Sequence, residues 1–234
     1  MQRTPEPELM EEAAQVKAYA TADFSAGDGA VVERLAALAS AAGINLHTTP
    51  GALLVDLGCG PGNISLRLLE RFTTAHVVGI DGSTAMLQVA EQRRGSLSPA
   101  AAARLSFQQQ TLPSPALAAT PLAGRCQAVV SNSLLHHLHQ PMVLWEAVQQ
   151  LAAPGGFVYL RDLRRPLDAA AAEALLALHL PQAPAVLRRD YLASLHAAFT
   201  PEDVEAQLAS VGLRGLTVAA LDDRYLEVWG RVTP

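Results

Sequence analysis

Cysteine is nearly absent from this chain, with two residues in 234, Cys59 and Cys126. That scarcity excludes a disulfide framework, and two ordinary reduced thiols point to a cytoplasmic setting. Aromatic residues are also few, at 5 %, and alanine supplies much of the apolar half of the composition, which suits a helix-rich globular enzyme. No apolar run approaches the ~20 residues of a membrane-spanning helix. The opening Met1-Gln2-Arg3-Thr4-Pro5-Glu6 has no apolar signal core. Nor is there a basic excess: a formal charge of −5 argues against broad nucleic-acid binding, which needs a cationic surface. Repeats, heptads and long polar tails are missing too. What these absences leave is a single sizeable core, in a chain short of a comfortable two-domain length.

The chain is organised around Leu53-Leu54-Val55-Asp56-Leu57-Gly58-Cys59-Gly60-Pro61-Gly62. An apolar run with a β-branched residue reads as a buried parallel strand. Three glycines spaced two apart then break it. Pro61, with its fixed φ and missing N–H, predicts a helix starting about there. Strand, glycine turn and helix together frame a crevice beyond the strand's carboxyl end, where open α/β sheets bind ligands. The glycine spacing departs from the dinucleotide fingerprint, because Asn63 occupies the place of its third glycine.

Downstream, Ala75-His76-Val77-Val78-Gly79-Ile80-Asp81 reads as the second strand and ends in an acid nineteen residues after Gly62. A carboxylate in that place suits a ribose diol, since two hydroxyl donors can share one acceptor group. Capping the helix that follows Ser83 is the structural alternative for Asp81. Cys126 to Ser131 reads as the fourth strand, running into Asn132-Ser133-Leu134-Leu135-His136-His137-Leu138-His139. The ends of strands one and four flank the switch point of such a sheet, so this loop should face the reacting group. Its three histidines lack a Cys or Asp/Glu cluster at ligand spacing, so no metal site is expected. An imidazole titrates near neutrality, which makes His136 the candidate general base.

Val55-Asp56-Leu57-Gly58-Cys59-Gly60-Pro61-Gly62 closely resembles the first motif of the class I S-adenosylmethionine-dependent methyltransferases. Gly79-Ile80-Asp81-Gly82-Ser83 looks like the second, and Ser131-Asn132 with Leu135-His136-His137 looks like the loop after strand four. The turn Pro154-Gly155-Gly156 and the segment Asp162-Leu163-Arg164-Arg165-Pro166 are similar to the same family. The resemblance covers roughly residues 51–231. It implies a Rossmann-like α/β fold with a seven-stranded, mostly parallel sheet and helices on both faces. It further implies S-adenosyl-L-methionine as cofactor and S-adenosyl-L-homocysteine as product. A small-molecule acceptor would take the methyl group by in-line displacement. Asp56, Gly58, Cys59, Gly60 and Gly62 would form the cofactor loop, Asp81 and Gly82 the ribose contact, Met86 the border of the adenine, and Ser131 and Asn132 further contacts to the cofactor. Where many members carry an acid after strand three, this chain has Gln108-Gln109-Gln110-Thr111. Gln110 or Thr111 would then offer the oxygen acceptor for the adenine.

The remaining segments decorate one domain. Residues 1–45 should supply two N-terminal helices, at Pro7 to Ala20 and about Ala30 to Ala42. The first, carrying Met10 and Tyr19 with Phe24 after it, can act as a lid over the cofactor. Residues 51–163 form the cofactor-binding core, 164–199 a helical substrate cap, and 200–234 the last helix and a closing hairpin. Arg188, Arg189 and Tyr191 in the cap could bind an acidic substrate or be solvated helix surface. A non-catalytic cofactor-binding scaffold and an NAD(P)-dependent oxidoreductase are the alternatives of other classes. Membrane and nucleic acid are not expected partners, and a monomer or a homodimer would both fit.

Overall fold

The computed structural model describes residues 1–232. Seven strands form one sheet in the order β3-β2-β1-β4-β5-β7-β6. β1 (Leu53–Leu57), β2 (His76–Asp81), β3 (Leu105–Gln109), β4 (Cys126–Asn132) and β5 (Ala152–Leu163) run parallel. β6 (Leu216–Ala220) and β7 (Tyr225–Arg231) form the closing hairpin, with β7 antiparallel to both β5 and β6. This is the expected seven-stranded Rossmann-like sheet. The order reverses between β1 and β4, which pair directly, with Leu57 opposite Ser131. A ligand crevice opens at that switch point because the crossovers on either side leave to opposite faces.

Strand alternation explains how helices come to cover both faces. Successive side chains of β1 point to opposite sides. Leu54 joins a core with Val31 and Leu35 of α2 (Ser25–Ala41), Leu68 of α3 (Asn63–Arg71) and Phe72. Val55 and Leu57 join the other core, with Leu144, Trp145 and Val148 of α6 (Met142–Leu151) and Leu208 of α9 (Pro201–Val211). Thr200 begins α9 with a full capping box to Asp203. The remaining helices of the core are α4 (Thr84–Gly95) and the short α5 (Pro99–Ala102), which forms where a loop is expected from the small residues. After β5, α7 (Ala169–His179) and α8 (Ala185–Ala197) pack against each other as the cap, capped by Asp168 and broken by the intervening prolines.

Four boundaries differ from the sequence reading. The first helix, α1 (Ala13–Thr21), begins later than Pro7. Pro5 and Pro7 hold the residues before them extended, so residues 1–12 form a strap instead of the lid helix's first turns. The second helix starts at Ser25 and includes Gly27 and Gly29. Tertiary packing overrides their weak propensity: Asp28 between them is buried, and the Gly27 carbonyl accepts from Arg161. α3 starts at Asn63 and not at Pro61, because Gly62 is left-handed at its N-cap (φ 83°). β5 begins at Ala152, directly after α6, and so includes the Pro154-Gly155-Gly156 turn, where its pairing with β4 shifts register.

Candidate active site

A cavity of about 710 Å³ lies over the carboxyl ends of β1, β2 and β4, within the ~300–1,000 Å³ usual for small-molecule sites. Gly58, Cys59, Gly60, Pro61 and Asn63 form its floor. Gly58 has φ +71°, and a Cβ there would meet Leu134 at 2.8 Å. Only glycine allows the loop to turn this tightly under the β4 loop. At Gly60 a Cβ would meet nothing within 4 Å, so the missing side chain leaves open space on the cavity side. Asp81 closes this half: its carboxylate accepts from Gly60 N–H and Ser83 N–H, each at 2.8 Å. The cap of α4 is Ser83, which accepts from Met86 N–H. A carboxylate offers about four lone-pair sites, so Asp81 retains acceptors for a ligand. Burial raises its pKa above the ordinary range, against the pull of those backbone donors.

Of the other sequence candidates, Gly82, Met86, Gln110, Thr111, Asn132 and Tyr19 all line the cavity. Gln110 Oε1 already accepts from Ser114, which leaves Thr111 the freer oxygen. Burial pushes the Tyr19 phenol up, helped by Asp190, Glu6 and Tyr225, and its ring lies 5.8 Å from that of Phe24. Three candidates do not face the cavity. Asp56 is 1 % exposed and points into the α3 side, where Ser65 donates to it at 2.6 Å. Alternation decides this, since only Leu57 of that pair can point toward the cavity. Ser131 is turned inward as well, donating to Leu57 O at 2.8 Å and tying β4 to β1. Gly62 sits behind the floor, against the Phe107 ring.

The β4 loop supplies the second half. Ser133 is held in the left-handed region (φ 58°) and its N–H donates to Arg161 O. Such strain in a non-glycine residue is typical of functional loops. A single 3-10 turn, Leu135–His137, then buries His136. Its Nδ1 donates to Asp162 Oδ1 at 2.5 Å. Asp162 is itself fixed by N–H donors from Leu135 (2.7 Å) and Leu163 (2.7 Å). The opposite ring nitrogen, Nε2, lies 3.5 Å from Glu6. Burial draws the His136 pKa down, but Asp162 and then Glu6 outweigh it, leaving the pKa above the ordinary value. His137 stacks on it with ring centroids 4.3 Å apart. Burial and that neighbour push His137 well below the usual histidine range.

Glu6, His136 and His137 place three ligand-type atoms within 4.8 Å of one another, a grouping that local spacing around the histidines cannot reveal. Glu6 comes from the strap, held by Ser194 Oγ at 2.9 Å. Arg3 anchors the same strap by donating to the carbonyls of His136, Leu138 and Ala197. Ser83 Oγ donates to Met10 O, and Leu9 covers Gly82. The cavity also takes in Asp28, Arg161, Arg224 and Tyr225, none of them singled out from the sequence. Asp28 and Arg161 are buried charges within ordinary-looking segments, a signal that appears only once burial is known.

The fold is Rossmann-like, with an open cavity at its switch point. A family profile described as a methyltransferase domain matches residues 55–158. A trans-aconitate 2-methyltransferase of Streptomyces coelicolor is 35 % identical over 108 residues, 46 % of this chain and 33 % of that protein. A ubiquinone biosynthesis O-methyltransferase of Burkholderia thailandensis is 29 % identical over 177 residues, 75 % of this chain and 72 % of that protein. The chain spans about a third of the length of the trans-aconitate relative. In three dimensions it is similar to a SAM-dependent methyltransferase from Aquifex aeolicus, with TM-score 0.67 and 14 % identity over 96 % of this chain and all of that one. The plantazolicin methyltransferase BpumL, in complex with SAH and a pentazolic analogue, has TM-score 0.70 and 13 % identity over 95 % and 92 % of the two chains. Over residues 55–158 and in its fold the chain is similar to the class I S-adenosylmethionine-dependent methyltransferases.

Proposed function

We propose that this protein binds S-adenosyl-L-methionine along the ends of β1 and β2 and methylates a small-molecule acceptor held under the strap and cap. The observation that carries the reading is the Asp81 carboxylate, fastened by Gly60 and Ser83 at the edge of a glycine floor with open space above it. The donor set fits the cofactor. Asp81 offers acceptors to a ribose diol, Gly82, Met86 and Thr111 border a flat base, and Asn132 and Asp28 reach the floor where an amino acid moiety would lie. When bound, the cofactor supplies a methyl group on a positively charged sulfur, which leaves by displacement.

The chain's own residues position the partners, exclude water and move a proton. Holding nucleophile, carbon and leaving group in line is worth ~7–11 kcal/mol of the barrier. The strap closes the site through Arg3, Glu6, Leu9 and Met10. For a hydroxyl acceptor, Asp162 fixes the His136 tautomer with hydrogen on Nδ1, so Nε2 takes the proton and Glu6 stabilises the imidazolium that results. Asp56 and Ser131 support the loop from behind. The relatives' names point to different acceptors, so the cavity itself must choose among them. A cytoplasmic location belongs to this reading, supported by two buried free thiols and by the lack of any described helix long and apolar enough to cross a membrane.

Titration calorimetry with S-adenosylmethionine, S-adenosylhomocysteine and NADH tests it, on wild type and Asp81→Ala. Both sulfur ligands should bind, and Asp81→Ala should weaken them at least tenfold, which is ~1.4 kcal/mol. Binding of NADH in place of the sulfur ligands would overturn the assignment.

A further inference from the structure

We propose that the cap end of the cavity is a carboxylate subsite, built by Arg224 and Tyr191, and that the acceptor is a compact organic acid. This deepens the methyl-transfer reading and rests on it. Charge is divided along the cavity wall. The acids Asp23, Asp28 and Asp81 belong to the strap-and-floor half, whereas Arg224 and His179 stand among the cap residues. Arg161 lies between: its Nε donates to Asn132, its Nη1 to Gly27 O, and its guanidinium rests 4.5 Å from the Tyr225 ring. Arg224 lies 4.8 Å from the same ring.

The acids nearest the cap are already engaged. Asp223 pairs with His179 at 2.7 Å, Asp190 accepts from Gln15 and Arg189, and Asp222 Oδ1 accepts from the backbone N–H of Arg224 and Tyr225. Among the described residues, neither Arg224 nor Arg161 is in a salt bridge. Two donors at this end are buried without a hydrogen-bond partner: Arg224 Nε and the Tyr191 hydroxyl. Tyr191 is 9 % exposed and lines the cavity. Burial pushes its phenol up to about 12, opposed by the Arg224 side chain, which comes near enough to donate to the phenol oxygen and adds a positive charge. A buried donor left unpaired is costly, and more so when charged. A ligand carboxylate removes both deficits at once, since a guanidinium and a phenol O–H can each donate to it. Neutral ligands can pair the donors but cannot compensate the charge.

Spacing limits the ligand's size. Tyr191 is one turn of α8 before Ser194, whose hydroxyl holds Glu6 beside His136. One helical turn rises about 5 Å. A carboxylate on Tyr191 therefore sets the atom to be methylated a few bonds away. Leu180, Ala183, Pro184 and Leu187 line the gap, so the body of the acid should be apolar.

Ligand-observed fluorine NMR tests the subsite on the full chain, with and without S-adenosylhomocysteine. The probes are 4-fluorobenzoate and its neutral isostere 4-fluorobenzamide. The acid should bind at least tenfold more tightly than the amide. Arg224→Gln should abolish that preference, and Tyr191→Phe should weaken the acid at least threefold. Both variants should keep S-adenosylhomocysteine affinity within twofold, which also shows that they are folded. If Arg224→Gln does not fold, Tyr191→Phe carries the test. Equal binding of acid and amide, no saturable binding of the acid, or unchanged acid binding in the variants would overturn the proposal. Arg224-dependent acid binding without any binding of S-adenosylhomocysteine would support the subsite and sink the methyl-transfer reading.

Discussion

The two halves of the cavity are built in opposite ways. The floor around Gly58, Gly60 and Asp81 comes from two consecutive strand–turn units, and its hydrogen bonds run mostly between backbone and one carboxylate. The roof comes from places far apart in the chain: Glu6 in the strap, His136 after β4, Asp162 at the end of β5, Tyr191 in the cap and Arg224 in the closing hairpin. Its residues meet one another through side chains, several of them buried and charged. A floor of backbone groups suits a fixed ligand, because main-chain donors move little. A roof of side chains can be retuned by single substitutions without disturbing the sheet, which is how one fold serves many acceptors.

The sharpest way to break this contrast is at the dyad. With an acceptor in hand, His136→Gln should lower kcat by about 10²–10⁴ while leaving S-adenosylhomocysteine affinity within threefold. Asp162→Asn should fall in the same direction, since the wrong tautomer would be favoured. On the mechanism proposed for a hydroxyl acceptor the base form of His136 is needed, and its pKa is held above the ordinary value. Activity should therefore rise with pH through an ionisation above the ordinary ~6.5 of histidine. A flat profile, or a loss that appears only in cofactor affinity, would move His136 from the roof to the floor.

Gly58→Val attacks the floor. Strain from φ +71° and the clash with Leu134 should together cost roughly 2–5 kcal/mol, read from the urea midpoint, with cofactor binding lost even where the variant folds. Full retention of binding would show that the loop has more room than its geometry indicates.

A third effect, confined to the alkaline side, lies behind the floor. Burial lifts the Asp56 pKa to about 7, against the hydrogen bond from Ser65. The folded state therefore keeps a proton that the unfolded chain releases near pH 4. More protons are bound in the folded state across that window, so ligand-free stability should fall as pH rises from about 4 through 7. Asp56→Asn should flatten the pH dependence, by up to roughly 4 kcal/mol at the alkaline end. Parallel stability curves for the two proteins between pH 5 and 8 would refute this account of Asp56.

The floor was legible because its physics is local. A β-branched run, a glycine turn and an acid nineteen residues on follow from how a strand must end when a ligand approaches its backbone. Asp56, Ser131 and Gly62 were the exceptions. They lie in the right motifs, but which side of a strand or turn each faces depends on what packs behind it. Asp56 went to Ser65 because α3 crosses on that face. The strap was misread as a helix start because Met10 and Leu9 follow a helical apolar pattern. Their partners in the fold, Ser83 and Gly82, are more than seventy residues away.

By itself the sequence determined the order of strands and helices, the glycine floor and the acid that closes it, since each rests on neighbours within a few residues. Tertiary structure decided the rest. It paired His136 with Asp162, brought Glu6 to both histidines and left Arg224 and Tyr191 facing the same space. Charges and donors separated by tens to hundreds of residues acquire a role only when burial removes water from between them, and no pattern along the chain records that event.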